Sequence, residues 1–180
     1  MANIRFRKKK TTKKTESKKT ESKKMGKIKH IKTEIDGIIF DSKMESQYYE
    51  YLKELKAAGI VTQFKLQPEF LLQEKFIIIE GQVIEGSNPD FLKLKRKYKV
   101  PTTQAIKYKS DFEVHYADGH VEIIDTKGIE TADFKIKKKM FAYKYPTLDF
   151  RVIIKTKEGW VPYDEYQKTK RRKKKEKVAA

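Results

Sequence analysis

The sequence predicts a mixed α/β domain in which a central β-sheet is flanked by helices. Three observations predict it. Apolar residues recur at helical spacing over 43–58. Alternating or continuous apolar runs, bounded by Gly, Pro and Asp, fill 60–73, 75–81, 105–116, 120–128 and 148–156. The two kinds of segment interleave, in the order β-hairpin, helix, several strands, helix, strand, helix.

The first element is the stretch "IKTEIDGIIFDSK", a short hairpin with Asp36-Gly37 at its turn, Ile31 and Ile35 before it and Ile38 to Phe40 after it. Ser42 is then the N-cap of a helix over 43–58. Met44, Tyr48, Tyr51, Leu52 and Leu55 fall on one stripe of that helix, and Gly59 ends it. Residues 60–73 and 75–81 are extended. From Gly81 to Thr103 the pattern degrades, with Gly86, Pro89, Pro101 and the basic run "KLKRKYK", and 81–103 reads as an insertion or long loop. The runs 105–116 and 120–128 form a central hairpin around Asp118-Gly119. Thr131 caps a helix over about 132–144, which Pro146 follows. Residues 148–156 form another buried strand, and a terminal helix begins near Tyr163.

The net charge of +18 is unevenly placed. Residues 1–30 hold 13 Lys/Arg against Glu16 and Glu21, and residues 168–177 hold eight basic residues against Glu176. The middle, 31–167, is neutral, with 22 basic and 22 acidic residues. Cationic ends on a neutral globule point to a polyanionic partner, most simply nucleic acid. The segment 1–29, with its repeated "KKTES", has too little apolar surface to fold and is expected to be disordered. The end, 168–180, either extends the last helix or runs on as a basic tail. The expected organisation is therefore a domain over 30–167 between two tails. The absence of cysteine excludes disulfides and zinc-thiolate sites. No apolar run is long enough to span a membrane and no signal core precedes the domain, so the expected setting is the cytoplasm.

The central hairpin carries the chemistry, and its turn decides what that chemistry can be. A two-residue loop of Asp118-Gly119 would set Asp111 and Asp125 on opposite faces of the sheet. A three-residue loop, Ala117-Asp118-Gly119, with Gly119 left-handed, sets Tyr116 opposite His120 and Asp111 opposite Asp125. One residue of register separates a site from no site, and the three-residue loop is the expected one. Lys127 then falls two residues further along the same face, and Phe112, Val114 and Ile124 form a core layer on the other. Two adjoining carboxylates repel unless a cation lies between them. Mg²⁺ takes oxygen ligands and binds phosphate. Asp111, Asp125 and the carbonyl of Thr126 are candidate ligands, and Lys127 could act on a water or a phosphate oxygen. Taken alone, an Asp-x-Lys pair is a short motif, most simply an exposed pair at a strand end.

Longer phrases change that balance. Glu45 in "FDSKMESQYYEYL", Asp111 in "YKSDFEVHY" and Asp125 with Lys127 in "EIIDTKG" follow an order that resembles the PD-(D/E)XK nuclease superfamily. "DGIIFDSKMESQYYEYLKEL", "LQPEFLL", "YKSDFEVHYADGHVEIIDTKG" and "TADFKIKKKMFAYKYP" are similar to small phage-encoded members related to Holliday-junction resolvases, a phage domain of unknown function. The likeness covers most of 34–155; Ser110 stands where the motif has proline. It implies a restriction-endonuclease-like core and a Mg²⁺-dependent (or Mn²⁺-dependent) endonuclease cutting DNA, including branched DNA. It also implies a homodimer and, if phage-encoded, a host cytoplasm. Under it Glu45, Asp111, Asp125 and Lys127 are catalytic, with Glu45, Asp111, Asp125 and Thr126 on the metal.

Rival readings stand beside these. Glu45 is three residues after Ser42, a capping-box position. Glu113 is a substitute ligand, and Gln67, before Pro68, either faces the site or is structural. Lys137 and Lys139 on the second helix either hold a phosphate or are merely solvated. Lys95, Arg96 and Lys97, beside Tyr98, suit a loop gripping the DNA backbone. His30, His115 and His120 form no spaced ligand set. The principal alternative is a non-catalytic nucleic-acid-binding protein on a degenerate nuclease fold; an architectural or ribosome-associated protein is a third.

Overall fold

A computed structural model describes residues 32–179 of the chain. The predicted disordered segment 1–29 and Ile31 of the predicted hairpin lie outside the described residues. The elements are β1 (Thr33–Ile35), β2 (Ile38–Phe40), α1 (Lys43–Ala57), β3 (Val61–Leu66), β4 (Glu69–Gln73), β5 (Phe76–Ile79), β6 (Gln82–Glu85) and α2 (Phe91–Tyr98). They continue with β7 (Ile106–Lys109), β8 (Phe112–Tyr116), β9 (Val121–Thr126), α3 (Ala132–Lys144), β10 (Asp149–Thr156), β11 (Gly159–Pro162) and α4 (Tyr163–Ala179).

The predicted α/β class is the observed one. The central sheet has five strands in the order β11-β10-β9-β8-β3. β9 and β10 are parallel, joined by α3, and the other neighbours are antiparallel. Both faces are buried, so successive residues of one strand enter different cores. Ile124 and Ile153 join Phe112, Val114 and the α1 residues Tyr48, Tyr49 and Leu52. Ile123, Val152 and Ile154 join Tyr108 and the α3 residues Phe134 and Phe141 on the other side.

α1 begins and ends as its sequence dictates. Ser42 accepts the Glu45 N–H at 3.2 Å. At the other end the N–H groups of Gly59 and Ile60 return to the carbonyls of Lys56 and Leu55, at 3.1 and 3.0 Å, the double bond of a Schellman motif. The buried face is rotated from the predicted stripe toward Tyr49. That ring packs 5.1 Å from Phe40 of the β1–β2 hairpin, and its hydroxyl donates to Asp36 Oδ2 at 3.0 Å.

Three expectations change. The stretch 105–116 is not one strand but two, β7 and β8, divided at Ser110-Asp111. β4–β7 and β3–β8 are successive arms of one bent ribbon that keeps its register through the bend, with Glu69 opposite Lys109 and Leu66 opposite Phe112. The bend falls at Gln67-Pro68, where Gln67 has φ of 51°. Its N–H donates to the Asp111 carbonyl at 2.8 Å, and Ser110 N–H to the Pro68 carbonyl at 3.1 Å. A left-handed residue before proline is doubly disfavoured, so the bend holds strain beside Asp111. Secondly, 81–103 is not a bare loop: it contains β6, hydrogen-bonded to β5, and the eight-residue α2. Isolated Gly and Pro residues hid two short elements, β6 and α2, that both meet β5. Thirdly, the C-terminal basic stretch takes the helical one of its two expected forms and is not a disordered or extended tail: α4 continues to Ala179, since Lys and Arg are good helix formers. No helix among the described residues is long and apolar enough to cross a membrane.

The β8–β9 turn yields a direct prediction. Gly119 has φ of 90°, and a Cβ there would meet nothing within 4 Å. Gly119→Ala therefore carries a conformational penalty alone, about 1–2 kcal/mol. Urea titration should show a lower midpoint with an unchanged slope; an unchanged midpoint would contradict the left-handed turn.

Candidate functional site

The β8–β9 register is the one the three-residue loop predicts. Tyr116 N–H donates to the His120 carbonyl and Gly119 N–H to the Tyr116 carbonyl, both at 3.0 Å. Regular pairing runs from His115–Val121 to Phe112–Ile124. Asp111 lies one residue beyond, its N–H on the Ile124 carbonyl at 3.1 Å. Asp111 and Asp125 are thereby gathered at one end of the strand pair, though not as a regular ladder pair. That end is also the carboxyl end of β9, where open α/β sheets place their ligands.

Asp125 is fully buried, at 0 % exposure. Tyr108 donates to its Oδ2, and Lys127 Nζ is 2.7 Å from its Oδ1. That ion pair lacks hydrogen-bond geometry, leaving Oδ1 without a hydrogen-bond partner; the Ser110 hydroxyl beside Asp111 is in the same condition. The carboxyl of Asp125 is pushed well above the usual carboxylate range by burial and by the charge of Asp111, with Lys127 and Tyr108 offsetting part of this. Burial disfavours the charge on Lys127, but Asp125 and Asp111 outweigh it and raise the ammonium pKa. Burial likewise raises the Tyr108 phenol, aided by the charge of Asp125.

Glu45 enters from the first turn of α1. The Ser42 hydroxyl donates to its Oε1 at 3.1 Å, so Glu45 does close on its N-cap residue, through the hydroxyl and not through the backbone N–H of a capping box. That contact is not the whole account of Glu45, because burial and then the Asp111 charge push its pKa from 4.5 to about 7. Glu45 also acts on Lys127. The four residues thus form one electrostatic cluster of three carboxyls and one ammonium, with a formal charge of −2 when all are ionised. A hard divalent cation matches that charge and those oxygen donors.

The cluster is not a ready-made cage. Among the described residues, no three His, Asp or Glu side chains converge as a metal-ligand group. Asp111 is turned aside: its Oδ2 accepts the Thr126 N–H and hydroxyl at 2.7 and 2.8 Å. Thr126 thus contacts Asp111 through its donors.

The other predicted residues are scattered. Glu113 is engaged by Lys65 at 2.6 Å and by His115 at 2.8 Å, a role apart from the cluster. Gln67 supplies the bend. Lys137 is 3.4 Å from Asp133, and Lys139 is exposed. Lys95, Arg96 and Lys97 occupy the last turn of α2 without an ion pair among the described residues, and Lys97 Nζ lies 5.0 Å from the Tyr98 ring centre. Tyr108 is the residue that sequence reasoning missed; no local signal marks it, because the bend decides which way β7 faces.

A family model for proteins of unknown function, DUF1064, matches residues 23–159. The chain belongs to the DUF1064 family. The match spans α1, both bent arms, Asp111, Asp125 and Lys127, and stops before α4. In the DUF1064 chain the carboxylate cluster is therefore inside the family region, and the basic terminal helix is outside it. No curated protein and no solved structure matches the chain.

The pH dependence of stability follows from Glu45. Its folded pKa, about 7, exceeds the usual 4.5, so the protonated form is the one folding favours. That contribution is complete below pH 4.5 and is lost as pH rises through about 7. Glu45→Gln should reduce the fall in stability between acid and pH 8, leaving the part due to Asp125. Urea titrations at several pH values test this; parallel curves for the two proteins would refute the shift.

Proposed function

We propose that the protein is a metal-dependent DNA endonuclease that hydrolyses phosphodiester bonds, with branched DNA, such as four-way junctions, among its substrates. The observation that carries the reading is the β8–β9 register, which gathers Asp111, Asp125 and Lys127 beside the buried Glu45. Asp111, Asp125, Glu45 and the Thr126 carbonyl would hold Mg²⁺ or Mn²⁺. When bound, that ion would supply charge neutralisation at the phosphate and a lowered pKa for water. The raised pKa of Lys127 keeps it charged at neutral pH, which favours a role in neutralising a phosphate oxygen over that of a base. Glu45, poised near pH 7, suits holding or releasing a proton. The cationic ends supply sequence-independent affinity that falls steeply with salt. A homodimer cutting paired strands in the cytoplasm completes the proposal.

A second reading is favoured by one observation. The two Thr126 bonds to Asp111 Oδ2 occupy one oxygen of that carboxylate without a metal, as in a non-catalytic nucleic-acid-binding protein on a degenerate nuclease fold. Incubating supercoiled plasmid and four-way junctions with Mg²⁺ separates the two. Wild type should cut, and Asp125→Ala should cut at least about 10²-fold more slowly. If both bind DNA and neither cuts with Mg²⁺ or Mn²⁺, the second reading holds.

A further inference from the structure

α4 meets the body of the protein at a cleft of about 320 Å³. Lys135 of α3 and Lys168 and Arg171 of α4 line it, with Glu130 and Asp164. Both acids are already engaged: Lys138 Nζ is 3.2 Å from Glu130 Oε1 and 3.7 Å from Asp164 Oδ2. Lys135, Lys168 and Arg171 make no ion pair among the described residues, so the cleft retains a cationic excess. Its floor is fixed. Tyr163 is buried, and its hydroxyl accepts the Glu130 N–H at 3.3 Å. That bond ties the start of α4 to the loop that leaves Lys127. Glu130 is three residues past Lys127, so their Cα atoms are at most about 11 Å apart. One wall of the cleft is thus within three residues of Lys127, the ammonium of the carboxylate cluster.

Every residue from Lys168 to Lys177 is exposed, Lys168 and Arg171 at the cleft included. The like charges of this part of α4 repel at adjacent turns. The charges are also arranged. At about 100° per residue, Lys168, Arg171 and Lys175 share an arc of about 60° with Asp164, on the side that lines the cleft. Lys170, Lys173 and Lys177 share a similar arc of about 60° on the far side. A cationic cleft continued by a row of cations, over about 10 Å of helix from Lys168 to Lys175, matches a chain of phosphates better than a single anion.

We propose that the cleft seats a backbone phosphate of duplex DNA, and that the row Lys168, Arg171, Lys175 tracks the same strand away from the carboxylate cluster. This rests on the nucleic-acid reading above and adds to it a place and a direction. The row lies outside the DUF1064 match, so it is an addition to the family region that orients the duplex across the site.

The test compares the full chain with two triple variants, Lys168→Ala/Arg171→Ala/Lys175→Ala and Lys170→Ala/Lys173→Ala/Lys177→Ala. Both remove three charges from one helix and substitute a better helix former. Binding of a short fluorescent duplex is followed by anisotropy in EDTA across a salt series, so cleavage plays no part. The cleft-side variant should lose about two to three from the slope of log affinity against log salt, and the far-side variant less than about one. Lys135→Ala, in the body of the protein, should lose about one. Equal losses from the two triples would overturn the seat and leave the nuclease reading standing. No duplex binding by wild type would overturn both. Calorimetry with inorganic phosphate is the remaining arm: phosphate binding abolished by Arg171→Ala, with duplex affinity unchanged, would make the cleft a free-phosphate site and overturn the proposal.

Discussion

Under the proposed nuclease function, replacing Asp125 by Asn is expected to lower Mg²⁺-dependent cleavage by about 10²–10³-fold and, at pH 8, to raise the melting temperature. The two effects share one cause. Asp125 is fully buried, and its surroundings favour the neutral carboxyl. Asn is neutral at every pH and nearly the same shape, so above neutral pH it removes a charge that the fold disfavours. Its amide oxygen can still accept from Tyr108. Lys127 is not stranded by the change, because Asp111 and Glu45 also act on it. What Asn cannot supply is the anionic oxygen that a hard cation needs. Mg²⁺ should therefore raise the wild-type melting temperature, by mass action on the folded state, and leave that of the variant unchanged. Thermal melts with and without Mg²⁺, read beside cleavage rates, give the answer. A variant that loses stability and activity together would show Asp125 to be a structural partner of Tyr108 and Lys127.

Phe141→Ala should produce the largest loss of stability, about 3–5 kcal/mol. Phe141 has 0 % exposure and sits at the centre of an aromatic cluster. Its ring centre is 4.9 Å from Phe70 and from Phe150, 5.1 Å from Tyr145 and 5.9 Å from Tyr108. Truncation would leave a void among side chains drawn from β4, β7, α3 and β10, which cannot all close on it. For a chain of this size the melting temperature should fall by roughly 10 °C. Tyr143, two residues away on α3, is 91 % exposed, and Tyr143→Ala should change stability by less than about 0.5 kcal/mol. Denaturation of the two variants side by side tests the assignment of the core face, and similar losses would refute it. Because Tyr108 is held both by this cluster and by Asp125, Phe141→Ala should also reduce cleavage in the fraction that remains folded.

The sequence by itself determined what local sterics and local bonds determine. The α/β class followed from the two hydrophobic periods. Ser42 and Thr131 cap their helices because each side chain reaches an N–H three residues on. Gly119 set the β8–β9 register because a three-residue loop needs a left-handed third residue, and that register delivered Asp111 to Asp125. Only the tertiary structure decided what depends on partners far along the chain. The bend at Gln67-Pro68 and Ser110-Asp111 exists because strands some 40 residues apart pair through it. It is this bend that aims Tyr108 at Asp125. Tyr49 is in the core because the β1–β2 hairpin lies over α1. The turn of Asp111 onto Thr126 and the cleft between α3 and α4 were likewise invisible in the pattern. The hydrophobic period sets that an element has a buried face and which side it broadly takes. It does not fix which neighbour that face meets, and the geometry of the candidate site depends on the neighbour.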